Sequence, residues 1–225
     1  MDVEVKVLIS DKHWAQIKER IPVNVDDKKR EVWFFETPEL SLKKQEIVLR
    51  ARVNRKQKKA ESTAKWRRWV SPFVPVRDAW EQLPGFKAEI DASLTDGVPA
   101  WSVTEEDLEE NLFRAVVAEE KRALEFFNKH QRLLVESAWP LLPWDKLRAW
   151  GPIASVKWEV HKGVAIERWT VGEKSVIEVS KRGQYQDVVL GEIREWLSAD
   201  GIEAEALEGG KTAWALACLV RSAPN

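Results

Sequence analysis

Residues 1–10 read MDVEVKVLIS, and charged and apolar residues alternate strictly from Asp2 to Val7. Asp2, Glu4 and Lys6 share one side of the repeat, and three valines fall between and after them. Such alternation predicts a β-strand with two unlike faces. A solvated outer face would explain the charges of one strand taken alone. The alternative is that this face points into an enclosed, wet space.

The same alternation recurs along the chain and favours the second interpretation. Further strands are predicted at residues 30–40, 45–55, 62–70, 85–94 and 153–162, with a hairpin at 164–182 that turns at Gly172-Glu173. Several of these strands carry charges of both signs on one face. Because buried unpaired charge is very costly, a barrel lined by such faces must hold water, metal ions or a highly charged ligand.

Helices are predicted around the strands. Apolar residues recur at helical spacing in 10–21, in 187–202 and through the middle of the chain at 102–134, where Thr104 and Asp107 form a capping-box-like start. Residues 209–220 fit either a short strand or a helix. We therefore predict an α+β fold: an antiparallel eight-stranded β-barrel, or tunnel, with flanking helices and a mid-chain helical insertion at about 100–145, in a single domain spanning 1–225.

Composition excludes several classes of protein. The 225 residues carry a net charge of −1, which does not fit a general nucleic-acid binder. A single cysteine, Cys218, rules out an intramolecular disulfide, and no zinc-type Cys/His cluster is present. No apolar run is long enough for a transmembrane helix, and a strand beginning at residue 2 leaves no room for a signal peptide. The expectation is a cytoplasmic protein with no membrane partner.

Three motifs resemble the CYTH superfamily, also called triphosphate tunnel metalloenzymes. They are FETPEL at 35–40, LRAR at 49–52 and the opening Asp-x-Glu-x-Lys at 2–6, where Asp2 stands for the family's first Glu and keeps a shorter carboxylate. STAKWRR at 62–68, KAEIDA at 87–92, VIEVSKR at 176–182 and GGKTAWAL at 209–216 are similar to later family segments. The resemblance implies a charged β-tunnel that binds a triphosphate.

The resemblance and the residue types together give a set of candidate site residues. A triphosphate needs fixed cations, and Arg suits bidentate recognition of phosphate oxygens. The candidates for substrate binding are Lys6, Arg50, Arg52, Lys65, Arg67, Lys157 and Lys211. Carboxylates repel phosphate but can hold Mg²⁺ or Mn²⁺; the candidate metal ligands are Asp2, Glu4, Glu89, Asp91 and Glu178. Glu4, Lys6, Arg52 and Glu178 are the catalytic candidates. Glu167 and Arg168 lie on opposite faces of one strand, and neither is included.

The function implied is hydrolysis of a triphosphate, either inorganic or organic, such as a nucleoside or thiamine triphosphate, with Mg²⁺ or Mn²⁺ as cofactor. One alternative is the family's cyclase chemistry, which converts ATP to cyclic AMP and pyrophosphate. Another is a non-catalytic module that binds polyphosphate or nucleotide. The expected partner is a small-molecule triphosphate rather than nucleic acid, and the expected state is a monomer or homodimer.

Overall fold

The computed structural model describes residues 2–67, 78–204 and 210–222, and within these ranges it contains nine strands and seven helices. The strands are β1 (Asp2–Ser10), β2 (Lys28–Glu36), β3 (Ile47–Asn54), β4 (Lys59–Arg67), β5 (Phe86–Ala92), β6 (Gly97–Glu109), β7 (Arg148–Glu159), β8 (Val164–Val171) and β9 (Lys174–Gly183). The helices are α1 (Trp14–Glu19), α2 (Ser41–Lys44), α3 (Asp78–Glu81), α4 (Glu110–Val117), α5 (Lys129–Ala138), α6 (Gln186–Ser198) and α7 (Gly210–Ser222).

The strands form a closed barrel in the order β1-β5-β6-β4-β3-β2-β7-β8-β9. The prediction of an α+β barrel is confirmed, but its strand count and direction were wrong. Nine strands within the described ranges close the sheet, and it is mixed, because β1 pairs with β5 in parallel through Asp2↔Glu89 and Glu4↔Asp91. Parallel pairing could not be read from alternation, which is the same in either direction.

The additional strand is β6, which replaces the first part of the predicted helical insertion. Thr104 does not cap a helix; it lies opposite Thr63 in a ladder with β4 that continues to Lys59↔Glu109. A bulge between Ala60 and Ser62 accommodates one extra residue of β6. The acidic run after Thr104 has low strand propensity, and its pairing with β4 overrides that preference. Helical structure begins at α4 and continues through α5.

Contacts divide the chain into two compact units. The first comprises the residues up to Lys29, Glu89–Val98 and the chain from Ile153 onward. In this unit the valines of β1 and Ile9 pack with Ile17 of α1 and with Val189, Ile193 and Leu197 of α6. The apolar face of β1 therefore lies under helices, and Glu4 and Lys6 are on the opposite, inner face of the closed sheet.

The second unit comprises Arg30–Ala88 and Pro99–Pro152. The alternating apolar residues of β3, from Ile47 to Val53, pack in one core with Phe113 of α4 and Val135 of α5. Phe35 and Phe127 meet edge to face, with ring centroids 5.2 Å apart. The other face of β3, which carries Arg50 and Arg52, is again the face turned away from the helices.

One buried hydrogen-bond network joins α5 to the sheet of this second unit. The Gln131 side chain is completely buried. Its Nε2 donates to the Ser62 backbone oxygen at 2.9 Å and to the Val103 backbone oxygen at 3.2 Å, and Ser62 Oγ donates back to its Oε1 at 3.0 Å. These bonds satisfy backbone groups beside the β4–β6 bulge, where the regular ladder is interrupted.

The C-terminal segment that the sequence left undecided is helical, since α7 runs from Gly210 to Ser222 and contacts β8 and β9. The predicted hairpin turn is confirmed, with Val171 paired to Lys174 across Gly172-Glu173. Gly172 has a φ of 57°, a left-handed conformation that glycine adopts without strain. Among the described residues, no helix is long and apolar enough to cross a membrane.

Candidate functional site

A group of three carboxylates lies on the inner face of the first unit. Glu4 comes from β1, and Glu89 and Asp91 come from β5, which the parallel pairing places beside it. One carboxylate oxygen from each side chain lies within 4.8 Å of the other two. Period-two alternation puts Glu89 and Asp91 on the same face, and Ile90 packs on the apolar side.

Lys6 lies among these carboxylates. Its Nζ donates to Asp91 Oδ1 at 2.6 Å and lies 2.9 Å from Glu4 Oε2. Burial by itself lowers the pKa of Lys6, but the negative charges of Asp91, Glu4, Glu178 and Glu89 outweigh it, and the pKa lies above its ordinary value. Lys6 is therefore the counter-charge within the acidic group.

The donor set of this cluster suits a hard divalent cation. All three side chains offer oxygen, which Mg²⁺ and Mn²⁺ prefer, and no sulfur or imidazole takes part in the group. Glu4 and Asp91 are only partly buried, so an ion and its water ligands can reach them. Asp2 is not part of this group; it is exposed at the start of β1.

A second acidic pair lies farther along the inner face of the first unit. Glu178 of β9 stands directly opposite Glu167 of β8. Lys211 of α7 reaches both carboxylates: its Nζ donates to Glu178 Oε1 at 2.7 Å and to Glu167 Oε2. Lys157 of β7 is the cross-strand neighbour of Glu167 on the other side and is half-buried.

Guanidinium groups cluster on the inner face of the second unit. Arg52 Nη1 donates to Glu61 Oε1 at 3.0 Å, and the same carboxylate lies 3.6 Å from Arg30 and 3.9 Å from Arg50. Burial raises the pKa of Glu61, but the three guanidinium groups outweigh burial and hold the pKa below its ordinary value. Arg50 Nη2 also approaches Thr63 Oγ1 at 3.4 Å.

Lys65 and Arg67 continue the same face of β4 beyond Thr63. Lys65 is buried and stands opposite Val48, while Arg67 is half-buried at the end of the strand. Arg50 and Arg52 stand opposite Thr63 and Glu61 in the β3–β4 ladder. The predicted cations of this half therefore lie on one face of two adjacent strands.

The FETPEL turn at 35–40 has a structural explanation that does not involve a ligand. The Glu36 carboxylate accepts hydrogen bonds from the backbone N–H groups of Thr37 at 2.6 Å, Lys43 at 2.5 Å and Leu42 at 3.2 Å. Burial raises the pKa of Glu36, and these backbone donors offset part of that rise. The residue fixes α2 against the end of β2.

Sequence reasoning missed two carboxylates that the structure places with the candidate cations. Glu167 was omitted because its face was ambiguous, yet Ile166 packs under the helices, which turns Glu167 inward, while Arg168 pairs with Asp11 on the opposite face. Glu61 was not among the candidates. Its spacing of two from Thr63 and four from Lys65 was the pattern that could have placed it on their face.

No protein-family model matches the sequence, and no curated protein matches it. Solved structures of similar fold exist. HpAC1 from Hippeastrum, described as an adenylyl cyclase candidate with a dominant triphosphatase activity, is 15% identical, with 96% of each chain covered and a TM-score of 0.65. An adenylate cyclase candidate from Bacillus halodurans is 16% identical, with 95% of this chain and 97% of that chain covered and a TM-score of 0.65. The chain thus shares the fold of these two proteins, whose descriptions name the triphosphatase and cyclase activities implied by the motif resemblance.

Proposed function

We propose that this chain is a divalent-metal-dependent phosphohydrolase that acts on a triphosphate. The observation that carries the proposal is the group formed by Glu4, Glu89 and Asp91, whose oxygens lie within 4.8 Å of one another on the inner face of a closed barrel. An all-oxygen group of this kind suits Mg²⁺ or Mn²⁺, and when bound, either ion would polarise phosphoryl oxygens and lower the pKa of a bound water.

The chain's own cations have separate tasks in this scheme. Arg50 and Arg52 are the groups that bind phosphoryl oxygens, because a guanidinium offers two parallel donors to one phosphate. Lys6 donates as a point charge beside the carboxylates. Lys65, Arg67 and Lys157 add positive charge along the inner faces.

The activity of the Hippeastrum protein fits this proposal, and its description also names cyclase chemistry. An assay with three substrates separates the possibilities. Purified protein is given tripolyphosphate, ATP or thiamine triphosphate with Mg²⁺ or Mn²⁺, and the products are separated by ion exchange. Free phosphate supports the hydrolase, cyclic AMP with pyrophosphate supports a cyclase, and binding without turnover supports a non-catalytic module.

Two variants test the site itself. Glu4→Gln removes one candidate metal ligand while keeping the side-chain volume, and Arg52→Ala removes one phosphate-binding guanidinium. Each is expected to lower turnover by at least 100-fold, the scale of losing one preorganised charge contact. Arg55→Ala, in the exposed turn after β3, and Glu109→Gln, in an exposed pair with Lys59, are the matched controls. Wild-type turnover in both site variants, with folding verified by circular dichroism, would remove the assignment.

A further inference from the structure

The two acidic side chains Glu167 and Glu178 pose an electrostatic problem within the first unit. They face each other across the β8–β9 ladder, and their side chains are only 10% and 6% exposed. Like charges directly opposite on adjacent strands repel, and burial removes the water that would screen them. A cation must therefore neutralise the pair.

Lys211 is placed to be that cation. Its ammonium contacts a carboxylate oxygen of each partner and is itself only 10% exposed. It also lies over the Trp169 ring, 4.5 Å from the centroid, in a cation–π contact. The Lys211 ammonium therefore already occupies the position that contacts both carboxylates.

The remaining oxygen of Glu167 is also fully engaged. Ser155 Oγ donates to Glu167 Oε1 at 2.7 Å, and Trp169 Nε1 donates to the same oxygen at 2.8 Å. With Lys211 on Oε2, the carboxylate has a donor from each of three elements: β7, β8 and α7. This organisation holds the carboxylate in one orientation without a metal ion.

We propose that Lys211 is a resident cation that takes the position a divalent ion would otherwise occupy between Glu167 and Glu178. The carboxylate that the sequence assigned to metal binding, Glu178, then serves to hold α7 rather than a metal. The inference rests on the proposed function only in naming the class of ion; the neutralisation of the pair by Lys211 is independent of turnover. The chain accordingly excludes a divalent ion from the Glu167–Glu178 pair, where one ammonium faces two carboxylates. At Glu4, Glu89 and Asp91, by contrast, three carboxylates face the single ammonium of Lys6.

The test counts bound Mn²⁺ by isothermal titration calorimetry and by the loss of the free-ion signal in electron paramagnetic resonance. Lys211→Ala vacates the position between two carboxylates, and oxygen-rich pairs bind Mn²⁺. The variant is expected to bind one more Mn²⁺ per chain than the wild type. Lys181→Ala, which removes an outer-face lysine paired with Glu192 at 3.0 Å, is the matched control and is expected to add none.

Stability gives a second measurement on the same proteins. In EDTA, Lys211→Ala is expected to melt several degrees below the wild type, because the acidic pair loses the one ammonium that contacts both carboxylates. Mn²⁺ is expected to recover most of that loss in Lys211→Ala and none of it in the double variant Lys211→Ala/Glu178→Gln. Lys211→Met keeps an unbranched apolar side chain over Trp169, and it replaces Lys211→Ala in both measurements if the alanine variant does not fold.

The difference in Mn²⁺ count between variant and wild type decides the inference. An increment of one supports it whatever the wild-type count or the catalytic rate, so failure of the proposed triphosphatase activity would leave it standing. Equal counts in the wild type, Lys211→Ala and Lys211→Met would overturn it. An equal Mn²⁺ effect on the melting temperature of the single and double variants would also overturn it.

Discussion

Glu61 offers a direct test of the electrostatics of the second unit. Its carboxylate lies 3.0 Å from Arg52, 3.6 Å from Arg30 and 3.9 Å from Arg50, and its side chain is 16% exposed. Glu61→Gln keeps the shape and one oxygen acceptor but removes the charge that holds three guanidinium groups together. A charge-assisted hydrogen bond contributes about 1.5–3 kcal/mol, and the longer contacts add less than about 1 kcal/mol each. We expect a loss of about 2–3 kcal/mol in the free energy of unfolding at pH 7.

The loss should depend on pH in a defined direction. The guanidinium groups hold the folded-state pKa of Glu61 below its ordinary value of 4.5, so its stabilising effect is complete above that value. As the pH falls below 4.5 and through the folded-state pKa, protonation removes the charge from the wild type as well. The difference between wild type and Glu61→Gln should therefore shrink toward zero.

Urea unfolding of both proteins from pH 7 down to pH 3 measures this difference. Other titrating groups are common to both proteins and cancel in the comparison. Glu109→Gln, whose side chain is 72% exposed, is the control and should show little change at any pH. A difference that stays constant from pH 7 to pH 3, or a glutamine variant that is more stable at pH 7, would refute the reasoning.

Two further predictions concern packing in the same unit. Gln131→Leu removes the donor to the backbone oxygens of Ser62 and Val103 and leaves them buried without it, so we expect a loss of about 2–4 kcal/mol in urea unfolding; a wild-type midpoint would contradict the role of this network. Gly85 has a φ of 72°, and an added Cβ would collide with the backbone oxygen of Thr104. Gly85→Ala should therefore lower stability by about 1–3 kcal/mol, measured by thermal unfolding, with Gly163→Ala at an open position as the control for positive φ alone.

Local patterns predicted the elements in which alternation or helical spacing was unbroken. The strands at β1, β3 and β9, the hairpin turn at Gly172 and the helix α6 all follow from residues close in sequence. The prediction failed at β6, where Thr104 and the acids after it carried a local helix-start pattern. Pairing with β4, more than 35 residues earlier in the chain, decided their conformation.

In the candidate site, too, local sequence predicted some features and distant contacts decided others. Its arginines and most of its carboxylates were identified from strand faces, but the partners of those groups were not. Glu61 and Glu167 were passed over, and the hydrogen bond between Lys211 and Glu178 was not anticipated. No spacing along the sequence indicates that a helix at residue 211 returns to the β8–β9 ladder.

The amino-acid sequence by itself determined which side chains share a strand face, because the two-residue period is a property of the backbone of each strand. Only the tertiary structure decided which face is covered by helices and which charges meet on the other. That outcome depends on the apolar surfaces against which α1, α5, α6 and α7 pack. It also depends on the charged side chains that come together from segments distant in sequence. The acidic pair opposite Lys211 illustrates this, since three separate elements define its environment.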